Sequence, residues 1–109
     1  MLGQINDTAQ LNGNGRTLLV SGWIGFADDE KSAVLQVTAT QNGSTVTGTS
    51  TRLPSNKKAW AVELEGDDNF HPGSIHVEVT ATVELRDGSE EEYPEAGQAP
   101  WSRYITLQG

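Results

Sequence analysis

The side chains between Ser74 and Gly88 separate by parity. Ile75, Val77, Val79, Ala81, Val83 and Leu85 hold one parity, and His76, Glu78, Thr80, Thr82, Glu84 and Arg86 hold the other. Successive side chains on a strand point to opposite faces, so this stretch predicts a long strand with one dry and one wet face. A helix would scatter the same apolar residues around its circumference. A strand with one apolar face needs other strands over it.

The same alternation recurs along the chain. In Arg16–Gly25, Leu18, Val20 and Ile24 share one face while Leu19 and Trp23 share the other, which leaves the core face open; Gly22 marks a bulge or a close backbone approach. Asp28-Asp29-Glu30-Lys31 reads as a charged turn. From Ala33 to Gln41, Leu35, Val37 and Ala39 alternate with Gln36, Thr38 and Thr40, and Asn42-Gly43 then signals a hairpin. The return strand, Ser44 to Arg52, has Val46 as its clear core candidate, and so polar a strand belongs at a sheet edge. Leu53 to Lys58 reads as a loop. Trp60, Val62 and Leu64 face one way in the next strand, and Trp101, Ile105 and Leu107 share a parity in the last. Pro94 and Pro100 keep the stretch between them irregular or confine it to an edge. Residues 1–15 read as a short N-terminal strand or a linker, with turns at Asn12-Gly13 and Asn14-Gly15. Residues 16–109 then form one domain of six or seven short strands without a helix, the pattern of a two-sheet sandwich.

Composition narrows the function classes. The 109 residues suffice for one domain with a core of its own. The absence of cysteine excludes disulfides, thiolate zinc sites and thiol catalysis. No run is long and apolar enough to span a bilayer, and the first residues lack the charged and apolar regions of a signal peptide. A formal charge of −8 argues against nucleic acid or an anionic membrane as partner. Glu84, Asp87, Glu90, Glu91, Glu92 and Glu95 crowd together and read as a solvated acidic loop.

Candidate chemistry is sparse. Asp68, His71 and Ser74 are close in sequence, but a triad is a spatial arrangement with an oxyanion hole, and this segment reads as a Pro-Gly turn. Asp28, Asp29, Glu30, Asp67, Asp68 and Asp87 are weak calcium candidates, because no D-x-D-x-D loop is present and calcium takes six to eight oxygens. The expectation is no cofactor. His76 takes the wet parity and reads as solvated rather than as a metal ligand. Sugar C–H faces pack on flat aromatic rings, so exposed aromatics are the main binding candidates. Trp60 and Trp101 fall on core parities. Trp23, Tyr93 and Tyr104 are the candidates for a ligand surface.

Trp60-x-Val62-x-Leu64, a turn, Pro72-Gly73, then Ile75-x-Val77-x-Val79-Thr80-Ala81-Thr82 and Asp87-Gly88 resemble bacterial immunoglobulin-like modules, including fibronectin-III-like ones. Val20-Ser21-Gly22 fits the same pattern, and the resemblance covers about Arg16 to Leu107. The sequence departs from it at His76, where the family often carries Tyr, and in the long Glu-rich stretch Glu90–Glu95. The resemblance implies an antiparallel immunoglobulin-like sandwich and a role rather than a reaction. Such modules space, stiffen or display other domains in surface adhesins, secreted polysaccharide-active enzymes and phage structural proteins. Some bind carbohydrate or host receptors. The partners so implied are neighbouring domains of the parent protein or assembly, or a surface glycan or receptor. The implied location is extracellular, at a cell surface or on a phage virion. Lys31, Lys57 and Lys58 sit in polar turns, which argues against the buried Lys–Asn isopeptide bond of some of these modules. The expectation is therefore a non-enzymatic spacer or adhesion module, with a carbohydrate-binding module as the alternative.

Overall fold

A computed structural model describes residues 1–12, 16–66, 70–94 and 101–109. The strands are β1 (Leu2–Ile5), β2 (Thr8–Leu11), β3 (Thr17–Gly25), β4 (Glu30–Gln41), β5 (Ser44–Thr49), β6 (Leu53–Pro54), β7 (Ala59–Glu65), β8 (Gly73–Leu85), β9 (Glu90–Tyr93) and β10 (Trp101–Gln108). β8 runs between two antiparallel neighbours, β4 on one side and β9 with β10 on the other, and β5 closes the far edge of β4. The second layer is β1 and β2 against β3, and β3 against β7, all antiparallel. β2 also pairs in parallel with β10, from Thr8↔Thr106 to Gln10↔Gln108, and so joins the two layers along one side. β1 and β2 are successive halves of one strand position, as are β9 and β10. Apart from the two-residue β6, this leaves seven strand positions in two layers. The fold is an immunoglobulin-like β-sandwich.

The inward parities decide why these strands pack. Ile75, Val77, Val79, Ala81 and Val83 of β8 and Ala33, Leu35, Val37 and Ala39 of β4 are buried. Facing them are Leu18, Val20 and Ile24 of β3 and Trp60, Val62 and Leu64 of β7, also buried. Ile5, Ala9 and Leu11 from the first strand position, Ile105 and Leu107 from β10, and Val46, Leu53 and Phe70 join the same cluster. β3 thus resolves its ambiguous parity by turning Leu18, Val20 and Ile24 inward and leaving Leu19 and Trp23 outside. Gly22 is a close approach: a Cβ there would meet the Gln4 carbonyl oxygen and come within 2.8 Å of the Trp60 indole. At the β5 edge, a Cβ on Gly48 would lie 2.9 Å from the Glu63 carbonyl oxygen, so β5 and β7 pack closely through a missing side chain.

Several expectations are corrected. Glu30 opens β4 instead of lying in a charged turn; it is buried, with its Oε1 accepting the Ala27 N–H at 2.6 Å and its Oε2 3.2 Å from the Met1 backbone nitrogen. Leu53-Pro54 forms a short bridge to Ser32 and Ala33 rather than a loop. The acidic residues Glu90, Glu91 and Glu92 are not a loop but strand β9, paired with Glu84, Val83 and Thr82. All three stay exposed, so hydration and backbone pairing coexist there. Leu85 is only half-buried because it sits where β8 runs out at the molecular end. Trp101 is half-buried at the margin of the core, lying over Gly3, where a Cβ would strike its ring. The turn assigned to Asn12–Gly15 falls mostly outside the described residues, as do Asp67, Asp68, Glu95 and Pro100. No helix among the described residues is long and apolar enough to cross a membrane.

The molecule extends 44 × 27 × 20 Å. Met1 contacts Glu30 at the pole where β8 ends, whereas Gly109 lies against Pro72 at the pole where β8 begins.

Candidate functional site

The three exposed-aromatic candidates occupy three different surfaces. Trp23 lies on the outer face of the three-stranded layer, 44% exposed. Its cross-strand partners are Gln4 on β1 and Ala59 on β7. Trp23 Nε1 donates to Gln4 Oε1 at 2.7 Å. Its six-membered ring reaches along the strand towards Gly25, where an added Cβ would lie 3.7 Å from it. The indole is therefore tethered at its nitrogen, with the edge of its six-membered ring near a strand position that carries no side chain and much of its surface open to water.

Tyr104 projects from the four-stranded layer and is 73% exposed. It pairs across the strands with His76, the ring centroids 4.8 Å apart at 60°. The surrounding face is rich in threonine: Thr38 and Thr47 place their hydroxyls 3.2 Å apart, and Thr40 and Thr45 theirs 3.4 Å apart. Cross-strand hydroxyl pairs of this kind stabilise a sheet, so they need no ligand to account for them. Tyr93 is half-buried, its ring centroid 5.2 Å from that of Trp101, and its hydroxyl accepts the Trp101 Nε1–H at 3.2 Å. One face of Tyr93 is thus occupied from within.

The remaining candidates take structural places. His71 and Ser74 are braced through their backbones by the buried Gln41 side chain: its Oε1 accepts the His71 N–H at 3.0 Å, and its Nε2 donates to the His71 and Ser74 carbonyls at 2.9 and 3.3 Å. His71 lies in the turn that launches β8, and Ser74 in the first residues of the strand. Asp28, Asp29 and Asp87 gather at one pole, where Arg86 donates to the Asp28 carbonyl at 2.8 Å. Among the described residues no group of three or more acidic or histidine side chains is arranged to hold a metal ion. The Asp87 carboxylate accepts both the hydroxyl and the backbone N–H of Ser89, and these two bonds, the hydroxyl first, hold it below the ordinary aspartate range.

A cationic cleft of about 490 Å³ was not anticipated from the sequence; it is lined by Lys31, Ser32, Arg52, Ser55, Glu84 and Arg86, with Pro54. Arg52 Nη1 lies 3.0 Å from Glu84 Oε2 and Lys31 Nζ 3.6 Å from Glu84 Oε1. Arg52 also donates to Ser32 Oγ at 3.0 Å, and Arg86 to Ser55 Oγ at 3.2 Å. This network ties the β6 segment to β4 and β8. Gln4, Gly25, Ala59 and Gln41 also carry no signal in the sequence, because each acquires its role only when distant strands pair.

No family model and no curated protein matches the chain. Among solved structures, one of murine CRIg superposes with a TM-score of 0.49 at 8% identity, covering 98% of this chain and 95% of that one.

Proposed function

We propose that this domain is a non-catalytic immunoglobulin-like module of an exported bacterial or phage surface protein, where it spaces or displays neighbouring domains. The observation that carries this reading is the placement of the first and last residues at opposite poles of an elongated sandwich. Joined head to tail, such modules add their long axes, and the thirteen residues of β8 alone bridge the poles. At roughly 3.3 Å per residue, that gives a pitch of about 40 Å per module. The resemblance of the β7–β8 segment to bacterial immunoglobulin-like modules supports the same role. Its partners are then the adjoining domains.

Small-angle X-ray scattering of two copies joined tail to head tests this. The maximum dimension should exceed that of one copy by about 40 Å. An increase of less than about half that, from copies folded side by side, would sink the spacer reading. A second reading, carbohydrate binding, is favoured by the exposed indole of Trp23, which Gln4 holds in place.

A further inference from the structure

We infer that the outer face of the β1–β3–β7 layer binds an uncharged glycan chain, with Trp23 as its stacking platform. This rests on the carbohydrate-binding reading and not on the spacer reading. Three features carry it. The first is the indole itself, held at Nε1 by Gln4 and exposed as a fixed aromatic surface. A sugar ring covers such a surface through its C–H groups without requiring the indole to reorganise.

The second is the space beside it. Ala59, the β7 partner of Trp23, leads into a trough of about 580 Å³ lined by Asn6, Ser21, Thr51, Lys57, Ala59 and Ala61, among others. The exposed alanines of β7 keep the trough open, where the longer side chains usual on a solvated strand would fill it. Asn6 and Ser21 edge it with an amide and a hydroxyl, which bond each other at 3.0 Å. An amide and a hydroxyl are suited to sugar hydroxyls because each both donates and accepts.

The third is charge. In a chain of net charge −8, Gln4, Asn6, Ser21, Trp23, Ala59 and Ala61 carry no charge, and Lys57 is the one charged side chain lining the trough. An anionic polysaccharide would be repelled by the molecule as a whole, and a neutral one would not.

The other surfaces offer less. One face of Tyr93 is taken by Trp101, the Tyr104 ring is paired with His76, and the donors of the cationic cleft are partly satisfied by Glu84.

The test is affinity electrophoresis in gels containing soluble xylan, mixed-linkage β-glucan, galactomannan or, as an anionic control, polygalacturonate. The wild type should be retarded by at least one neutral polysaccharide and not by polygalacturonate. Trp23→Ala should weaken that retardation about tenfold or more, and Tyr104→Ala should leave it unchanged. Ala59→Arg keeps the indole but fills the trough from an exposed position, and it should weaken binding comparably. Circular dichroism on each variant separates lost binding from lost folding. Retardation that survives in folded Trp23→Ala and disappears in Tyr104→Ala would overturn this assignment while leaving carbohydrate binding intact. Failure of every neutral polysaccharide to retard the wild type would overturn both, and neither result touches the scattering experiment.

Discussion

Gly22 has no side chain because two neighbours need its space. The Gln4 carbonyl and the Trp60 indole converge where its Cβ would stand. Trp60 in turn donates its Nε1–H to the Trp23 carbonyl at 3.1 Å, so it cannot swing away without stranding a buried donor. Gly22→Ala should therefore cost about 3 kcal/mol in urea unfolding, by forcing β1 off β3 or the indole out of the core. A loss under about 0.5 kcal/mol would mean that neither neighbour is fixed. Asp87 gives a second prediction at this scale. Its carboxyl pKa is lowered by Ser89, so its contribution to stability is present at neutral pH and fades as pH falls through the depressed folded value. Carbon-13 NMR titration should place its midpoint below that of an ordinary aspartate. Ser89→Ala should move it back up, and an unmoved midpoint would reject the hydroxyl as the main cause.

Among the elements, β8 was the most legible and β9 the least. The apolar parity of β8 has one physical solution, and the strand takes it from Ile75 to Val83. Val79→Asp places a charge where the side chain is fully buried, at a cost of about 4 kcal/mol or more, and should abolish the thermal transition. Wild-type melting would invert the two faces. β9 was hidden because Glu90, Glu91 and Glu92 form an acidic run with no dry face to read; backbone pairing with β8 and the Thr82 hydroxyl, 3.2 Å from each Glu92 oxygen, hold it in the sheet. β3 was half legible. Leu18 and Leu19 are equally apolar, and the layer facing them decides which goes inside. The candidate surface follows the same division. Trp23 could be nominated from the sequence, but Gln4 and Ala59 become its neighbours only through the β1–β3 and β3–β7 registers.

At the scale of the whole molecule, the acidic balance and the cationic cleft are compatible because they are segregated. Lys31, Arg52 and Arg86 converge around Glu84 at one end of β8, while Glu90, Glu91 and Glu92 line the neighbouring strand. The exposed indole lies on the other layer, so a ligand there and neighbours joined at the two poles would not compete. The sandwich is closed on one side by β2, which hydrogen-bonds to β3 in its own layer and to β10 in the other. Since β2 and β10 run parallel and lead towards opposite ends of the chain, tension applied between Met1 and Gly109 drags the two strands past each other along their length. Their hydrogen bonds are loaded together instead of peeling apart in turn. The short parallel pair that looks like a finishing seam is therefore the joint that would carry a pulling force.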